Sequence, residues 1–140
     1  MSETRLAPEQ LSRLREGMAR IPYARLLGIN FEDATHGAAT LSMSARPELE
    51  RFGGIMHGGA LASLADTASA FAVLSTLEPE AQTVTIDLTL HYLRPVTEGK
   101  LTARARVVRA GRRVATVSVE IFDESGAIVV TALTSYLKLS

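Results

Sequence analysis

One acid stands alone in the longest charge-poor stretch of the chain. From Gly53 to Leu77 the only Asp, Glu, Lys or Arg is Asp66. A carboxylate in apolar surroundings is costly unless it is hydrogen-bonded, paired or protonated. Such an acid is a candidate general base or nucleophile; the plain alternative is a structural contact to Thr85 or a backbone amide. His57-Gly58-Gly59 opens the same stretch. Glycine there lets a ligand approach the backbone. The first N–H groups of a helix lack internal partners and sit at its positive end, so they suit an oxyanion developing on a carbonyl. Taken singly, the tripeptide also reads as a plain helix start and His57 as an ordinary loop histidine.

Spacing sharpens the reading. Asp66 follows Gly58 by eight residues, about 12 Å at ~1.5 Å per residue. One carbonyl cannot lie ~3 Å from both groups of the same helix. If both act, two copies of the helix must face each other, which predicts a site shared across a homodimer.

The elements that would position these residues follow from periodicity. Leu11, Leu14, Met18 and Ile21 recur at helical spacing behind Pro8 and predict a short amphipathic helix over about 8–20. Pro22 is expected to end it. Strands are predicted over 29–34 and 38–45 with a turn at His36-Gly37, then a loop over 46–56. The stretch 58–77 reads as one long helix. Leu61, Leu64, Phe71 and Leu74 lie on one face and Ala62, Ser63, Ala70 and Val73 on the other, so burial all round is expected. Thr83 to Leu93 alternates strictly, with Val84, Ile86, Leu88, Leu90 and Tyr92 on one face and Thr85 on the other. Leu101–Arg109, Val114–Phe122 and Ile128–Lys138 complete a six-stranded antiparallel sheet. A curved sheet wrapped around the long helix, an α+β arrangement, is the packing solution.

At 140 residues the chain fits a single domain, and 46% hydrophobic with 21% charged residues fits a globular one. Fifteen basic residues balance fifteen acidic ones, which argues against a nucleic-acid binder. The absence of cysteine excludes disulfides, thiolate metal sites and cysteine nucleophiles. The charged first 20 residues resemble no export signal, so a cytoplasmic location is expected and membrane association is not.

The run His57-Gly58-Gly59-Ala60-Leu61-Ala62-Ser63-Leu64-Ala65-Asp66-Thr67-Ala68 resembles the helix of hotdog-fold acyl-CoA thioesterases of the PaaI-like family. The segment 83–96, with Asp87 and His91-Tyr92-Leu93-Arg94-Pro95, and the turn Arg109-Ala110-Gly111-Arg112-Arg113 are similar to later parts of that family. The likeness runs from about Arg25 to Leu139. It implies a hotdog fold, a homodimer with joined sheets, often a dimer of dimers, and hydrolysis of an acyl-CoA thioester without metal or cofactor. It places the base or nucleophile at Asp66, the carbonyl-polarising amide at Gly58, a nearby histidine at His57 and a water-orienting hydroxyl at Thr85. The family usually carries asparagine six residues before the histidine; here Arg51 stands in that place. Arginine has no acceptor oxygen. It is expected to pair with Asp66, to bind phosphate, or to face solvent.

Seven basic residues against Glu98 fall between Arg94 and Arg113. Arg104 and Arg106 suit an exposed, solubilising sheet face. Arg109, Arg112 and Arg113 at the turn are the candidates for CoA phosphates, and Arg94 is a further candidate for substrate binding. The acyl group is expected in an apolar crevice at the dimer seam, with Met56, Leu61, Ala62, Ala70 and Phe71 as lining candidates and Gly59 as a further substrate-binding residue. Two other functions fit the same pattern: a hotdog enoyl-CoA hydratase or dehydratase, and a non-catalytic acyl-CoA-binding protein.

Overall fold

A computed structural model describes residues 4–139 of the chain. Helix α1 (Pro8–Ala19) leads into a second helix, α2 (Pro22–Leu27). Pro22 therefore starts a helix as well as ending one, because its fixed φ and missing N–H suit the first turn. Gly28 closes α2 in the left-handed region at φ 74°. Arg46 donates to the carbonyls of Leu26 and Leu27 at the end of α2, the latter at 2.9 Å.

Strands β1 (Asn30–Thr35) and β2 (Ala38–Ser44) form the predicted hairpin. The expected loop over 46–56 contains a 3-10 turn (Pro47–Leu49) and a small hairpin of β3 (Glu50–Arg51) and β4 (Ile55–Met56). Helix α3 (Gly58–Leu74) follows and stops three residues short of the expected end. The Ser75 and Thr76 hydroxyls donate to carbonyls three residues back and tighten its last turn. Strands β5 (Gln82–Tyr92), β6 (Lys100–Ala110), β7 (Val114–Phe122) and β8 (Ile128–Leu139) complete the chain. The six long strands form one antiparallel sheet in the order β1-β2-β6-β7-β8-β5.

The sheet packs on α3. Leu64, Ala65, Ala68, Ala72 and Val73 are fully buried against Leu41, Met43, Leu101, Val117, Ile121 and Val130. Alanine at three- and four-residue intervals, at Ala65, Ala68 and Ala72, lets helix and sheet approach closely. Burial is not complete around α3. Ala62, Ser63, Asp66, Thr67, Ala70 and Leu74 form a half-exposed stripe, and Val73, expected beside them, lies inside. The strict alternation expected for β5 also fails. A bulge at Ile86 shifts the register between Thr85 and Asp87. Thr85 reaches α3 before the bulge, and Leu88 and Leu90 pack on the core after it, although alternation placed them on opposite faces. Val84 and Ile86 are left 45% and 53% exposed on this edge strand.

Candidate active site

Asp66 sits midway along α3, on its half-exposed stripe. Thr85 on β5 donates to its Oδ1 at 2.8 Å. Tyr136 on β8 donates to the same Oδ1 and to the Asp66 backbone carbonyl. Tyr136 is 2% exposed. Burial, reinforced by the hydrogen bond to Asp66, pushes its hydroxyl well above the ordinary phenol range and keeps it a proton donor. Oδ2 receives no hydrogen bond from any described residue, and no buried side-chain oxygen or nitrogen among those residues lacks a partner. Oδ2 is therefore open to solvent. Two donors hold one carboxylate oxygen and leave the other free, an arrangement able to take a proton or attack a carbon.

Asp66 borders a cavity of about 490 Å³. Its walls come from α1, the C-terminal half of α3 and the start of β5, with Tyr136 behind. Ala70 and Phe71 supply apolar lining, and the Phe71 ring packs on Phe31 at 6.0 Å between centroids.

Gly58 lies elsewhere. It lines a separate cavity of about 260 Å³ with Arg51, Met56, Leu61 and Arg94. No residue borders both cavities. The residues expected in one acyl crevice are thus divided within a chain: Met56 and Leu61 with Gly58, Ala70 and Phe71 with Asp66, and Ala62 in neither. As the first residue of α3, Gly58 has an amide with no intrahelical partner, and no described residue accepts from it. Tyr92 donates to the Gly58 carbonyl at 2.8 Å, and its ring lies 3.3 Å from where a Cβ would stand. That close approach explains glycine there.

His57 is the N-cap of α3. Its Nδ1 accepts the Gly59 amide at 2.8 Å. A Cβ on Gly59 would stand 2.9 Å from that nitrogen. The imidazole lines a third cavity, with Tyr23, Glu48 and Gly59. Arg51 donates to the Phe52 carbonyl at 2.9 Å, its guanidinium 5.7 Å from the Phe52 ring centre; within the described chain it forms no ion pair with Asp66. Arg109, Arg112 and Arg113 surround one surface cavity of about 570 Å³ at the β6–β7 turn, apart from Arg94.

Sequence reasoning missed Tyr136 and Tyr92. Nothing in the period of β8 or β5 marks a tyrosine as a hydrogen-bond donor to a particular helix. An aromatic residue with a polar tip at an inward position was the one available signal.

Among the described residues no helix is long and apolar enough to cross a membrane. The thioesterase superfamily model matches residues 53–130. A Saccharolobus solfataricus protein that carries an esterase name is 31% identical over 127 residues, covering 91% of this chain and 84% of that protein. The medium/long-chain acyl-CoA thioesterase YigI of Escherichia coli is 28% identical, covering 84% and 85%. The PaaI protein of the E. coli phenylacetic acid degradation operon superimposes with a TM-score of 0.86 at 26% identity, over 94% of this chain and 95% of that one. On this fold and these matches, the chain belongs to the thioesterase superfamily and is a hotdog-fold thioester hydrolase.

Proposed function

We propose that the protein hydrolyses acyl-CoA thioesters to a free acid and CoA. The observation that carries this reading is the Asp66 carboxylate, fixed at Oδ1 by Thr85 and Tyr136 and free at Oδ2, beside a cavity lined by Leu14, Ala70, Phe71 and Leu74 together with Arg13, Arg20 and Glu78. Oδ2 takes a proton from water as the water oxygen bonds to the thioester carbon. Direct attack by Oδ2, giving an anhydride that water then opens, is the nucleophilic form of the same step. The Gly58 amide of a second chain holds the oxyanion. Collapse breaks the C–S bond, and the CoA thiolate recovers a proton. His57 stands by the carbonyl, and Thr85 holds Asp66 and orients water.

Two observations support a homodimer. The Asp66 and Gly58 cavities are separate within a chain, and β5 is a sheet edge with exposed Val84 and Ile86, a surface suited to pairing with another copy. Pairs of dimers follow in this reading. The YigI name supports CoA as the carrier. Arg109, Arg112 and Arg113 meet its phosphates, with Arg94 and Arg51 beside the partner's Gly58. The reaction uses neither metal nor cofactor and takes place in the cytoplasm.

Asp66→Asn is the direct test, because the amide oxygen keeps both hydrogen bonds while Oδ2 becomes an NH₂ group. Thiol release from a panel of acyl-CoAs is expected to fall by ~10²–10⁴. The melting temperature is expected to stay near that of the unaltered chain. Unchanged turnover refutes the assignment. Loss of an enoyl-CoA double bond without thiol release indicates a hydratase instead, and binding without turnover a carrier or sensor.

A further inference from the structure

Helix α1 packs on β1 and α2, and residues of α1 and α3 together line the Asp66 cavity. On α1 the wall is Arg13, Leu14 and Gly17, with Arg20 and Ile21 added by the turn that follows the helix. Arg13, Leu14 and Gly17 lie on one helical face. On α3 it is Asp66, Thr67, Ala70, Phe71 and Leu74, also one face. The middle position of each stripe carries its smallest residue, Gly17 on one helix and Ala70 on the other.

Gly17 has no structural reason to be glycine. Its φ is not positive, so its backbone is open to any residue. A Cβ built there meets nothing within 4 Å. Helix propensity disfavours glycine inside a helix relative to alanine. What its missing side chain provides is space. Leu74 lies eight residues beyond Asp66, ~12 Å along α3 at ~1.5 Å per residue. An extended chain of roughly eight to ten carbons covers that length at bonds of about 1.5 Å.

We propose that α1 selects the acyl group and that Gly17 is the specificity-determining residue, keeping the cavity wide enough for a medium-length chain running from Asp66 towards Leu74. The assignment rests on the acyl-CoA reading above and adds a substrate class to it.

The test compares kcat/KM for butyryl-CoA and decanoyl-CoA in the unaltered chain, in Gly17→Leu and in Glu16→Leu, which places the same bulk on the exposed face of α1. Gly17→Leu is expected to lower the decanoyl-to-butyryl ratio at least tenfold, with Glu16→Leu leaving the ratio in place. Gly17→Ala, expected to melt higher, lowers it less and serves if the leucine variant fails to fold. A ratio unmoved by both Gly17 substitutions, or moved equally by Glu16→Leu, overturns the proposal. Calorimetric binding of decanoate gives a readout independent of turnover and is expected to weaken at least tenfold in Gly17→Leu. Decanoate binding that depends on Gly17 in a chain that hydrolyses no acyl-CoA upholds the cavity assignment and removes the hydrolase reading. Hydrolysis with a Gly17-independent chain-length profile does the reverse.

Discussion

Removing the Tyr136 hydroxyl tests whether the grip on Asp66 matters for chemistry. Tyr136→Phe keeps the ring in its buried site and deletes the donor to both the carboxylate and the backbone carbonyl of Asp66. A hydrogen bond to a charged group contributes ~1.5–3 kcal/mol. Thr85 still holds Oδ1, so a loss nearer the lower figure is expected. At roughly 4 °C per kcal/mol for a domain of this size, the melting temperature should drop by about 6 °C. Oδ2 is aimed only because Oδ1 is fixed, so part of that loss should reach the transition state. Since 1.36 kcal/mol corresponds to a tenfold rate change, kcat should fall severalfold, by about tenfold at most, at a temperature where the variant is fully folded. Thr85→Val should act in the same direction. The double variant should fall short of the summed effects, because both groups bond one atom. The assay is thiol release at saturating acyl-CoA, paired with urea unfolding. A Tyr136→Phe enzyme within twofold of the unaltered kcat, or a strictly additive double variant, refutes the view that these hydroxyls aim the carboxylate.

Two further outcomes follow from the same geometry. Replacing His57 by Asn, a good N-cap, should preserve the melting temperature, whereas Gly59→Ala should displace the imidazole and cost about 1 kcal/mol in a denaturant melt; a catalytic His57 shows as lost turnover in the stable Asn variant. The Ser42 hydroxyl, followed by Lys100 at 3.3 Å, holds the Glu32 carboxyl below its ordinary value of 4.5. A lowered folded value means that the unfolded chain binds more protons, so this contribution is present above about pH 4.5 and is lost as pH falls further. Ser42→Ala should therefore lose less stability than the unaltered chain between pH 6 and pH 3, and an identical acid limb in melts of the two would contradict the assignment.

Much of this architecture is legible from periodicity because most elements bury one face. Leu101, Ala103 and Ala105 are inward and Arg104 and Arg106 outward, as alternation requires. The His36-Gly37 and Asp123–Gly126 turns carry glycine at φ 86° and 88°. What sequence could not show was local exception. The bulge at Ile86 leaves no mark in a pattern that alternates without a break. Helix α2 is six residues long, too short for a periodic signal beside a proline that reads equally as a stop. At the candidate site, Gly58 lies in a cavity apart from Asp66 within the chain, while the Asp66–Thr85 contact was readable from residue chemistry. Tyr136 was not, because a contact 70 residues away in sequence depends on sheet order, which alternation alone does not determine.

The bulge also explains how one edge strand serves two functions. Without it, β5 could turn Thr85 towards Asp66 only by turning Leu88 and Leu90 out to solvent, since a strand's period is two. The extra residue resets the face between them, so the hydroxyl reaches the helix while Leu88 and Leu90 still pack on the core. The displaced residue, Ile86, is left exposed at the sheet edge, and burial of that edge by a second copy would cover it. Deleting Ile86 should therefore reverse the facing of Thr85 relative to Leu88. In that variant either the Asp66 contact or the core packing must be lost. A deletion variant that kept both the melting temperature and turnover would show that the bulge has neither role.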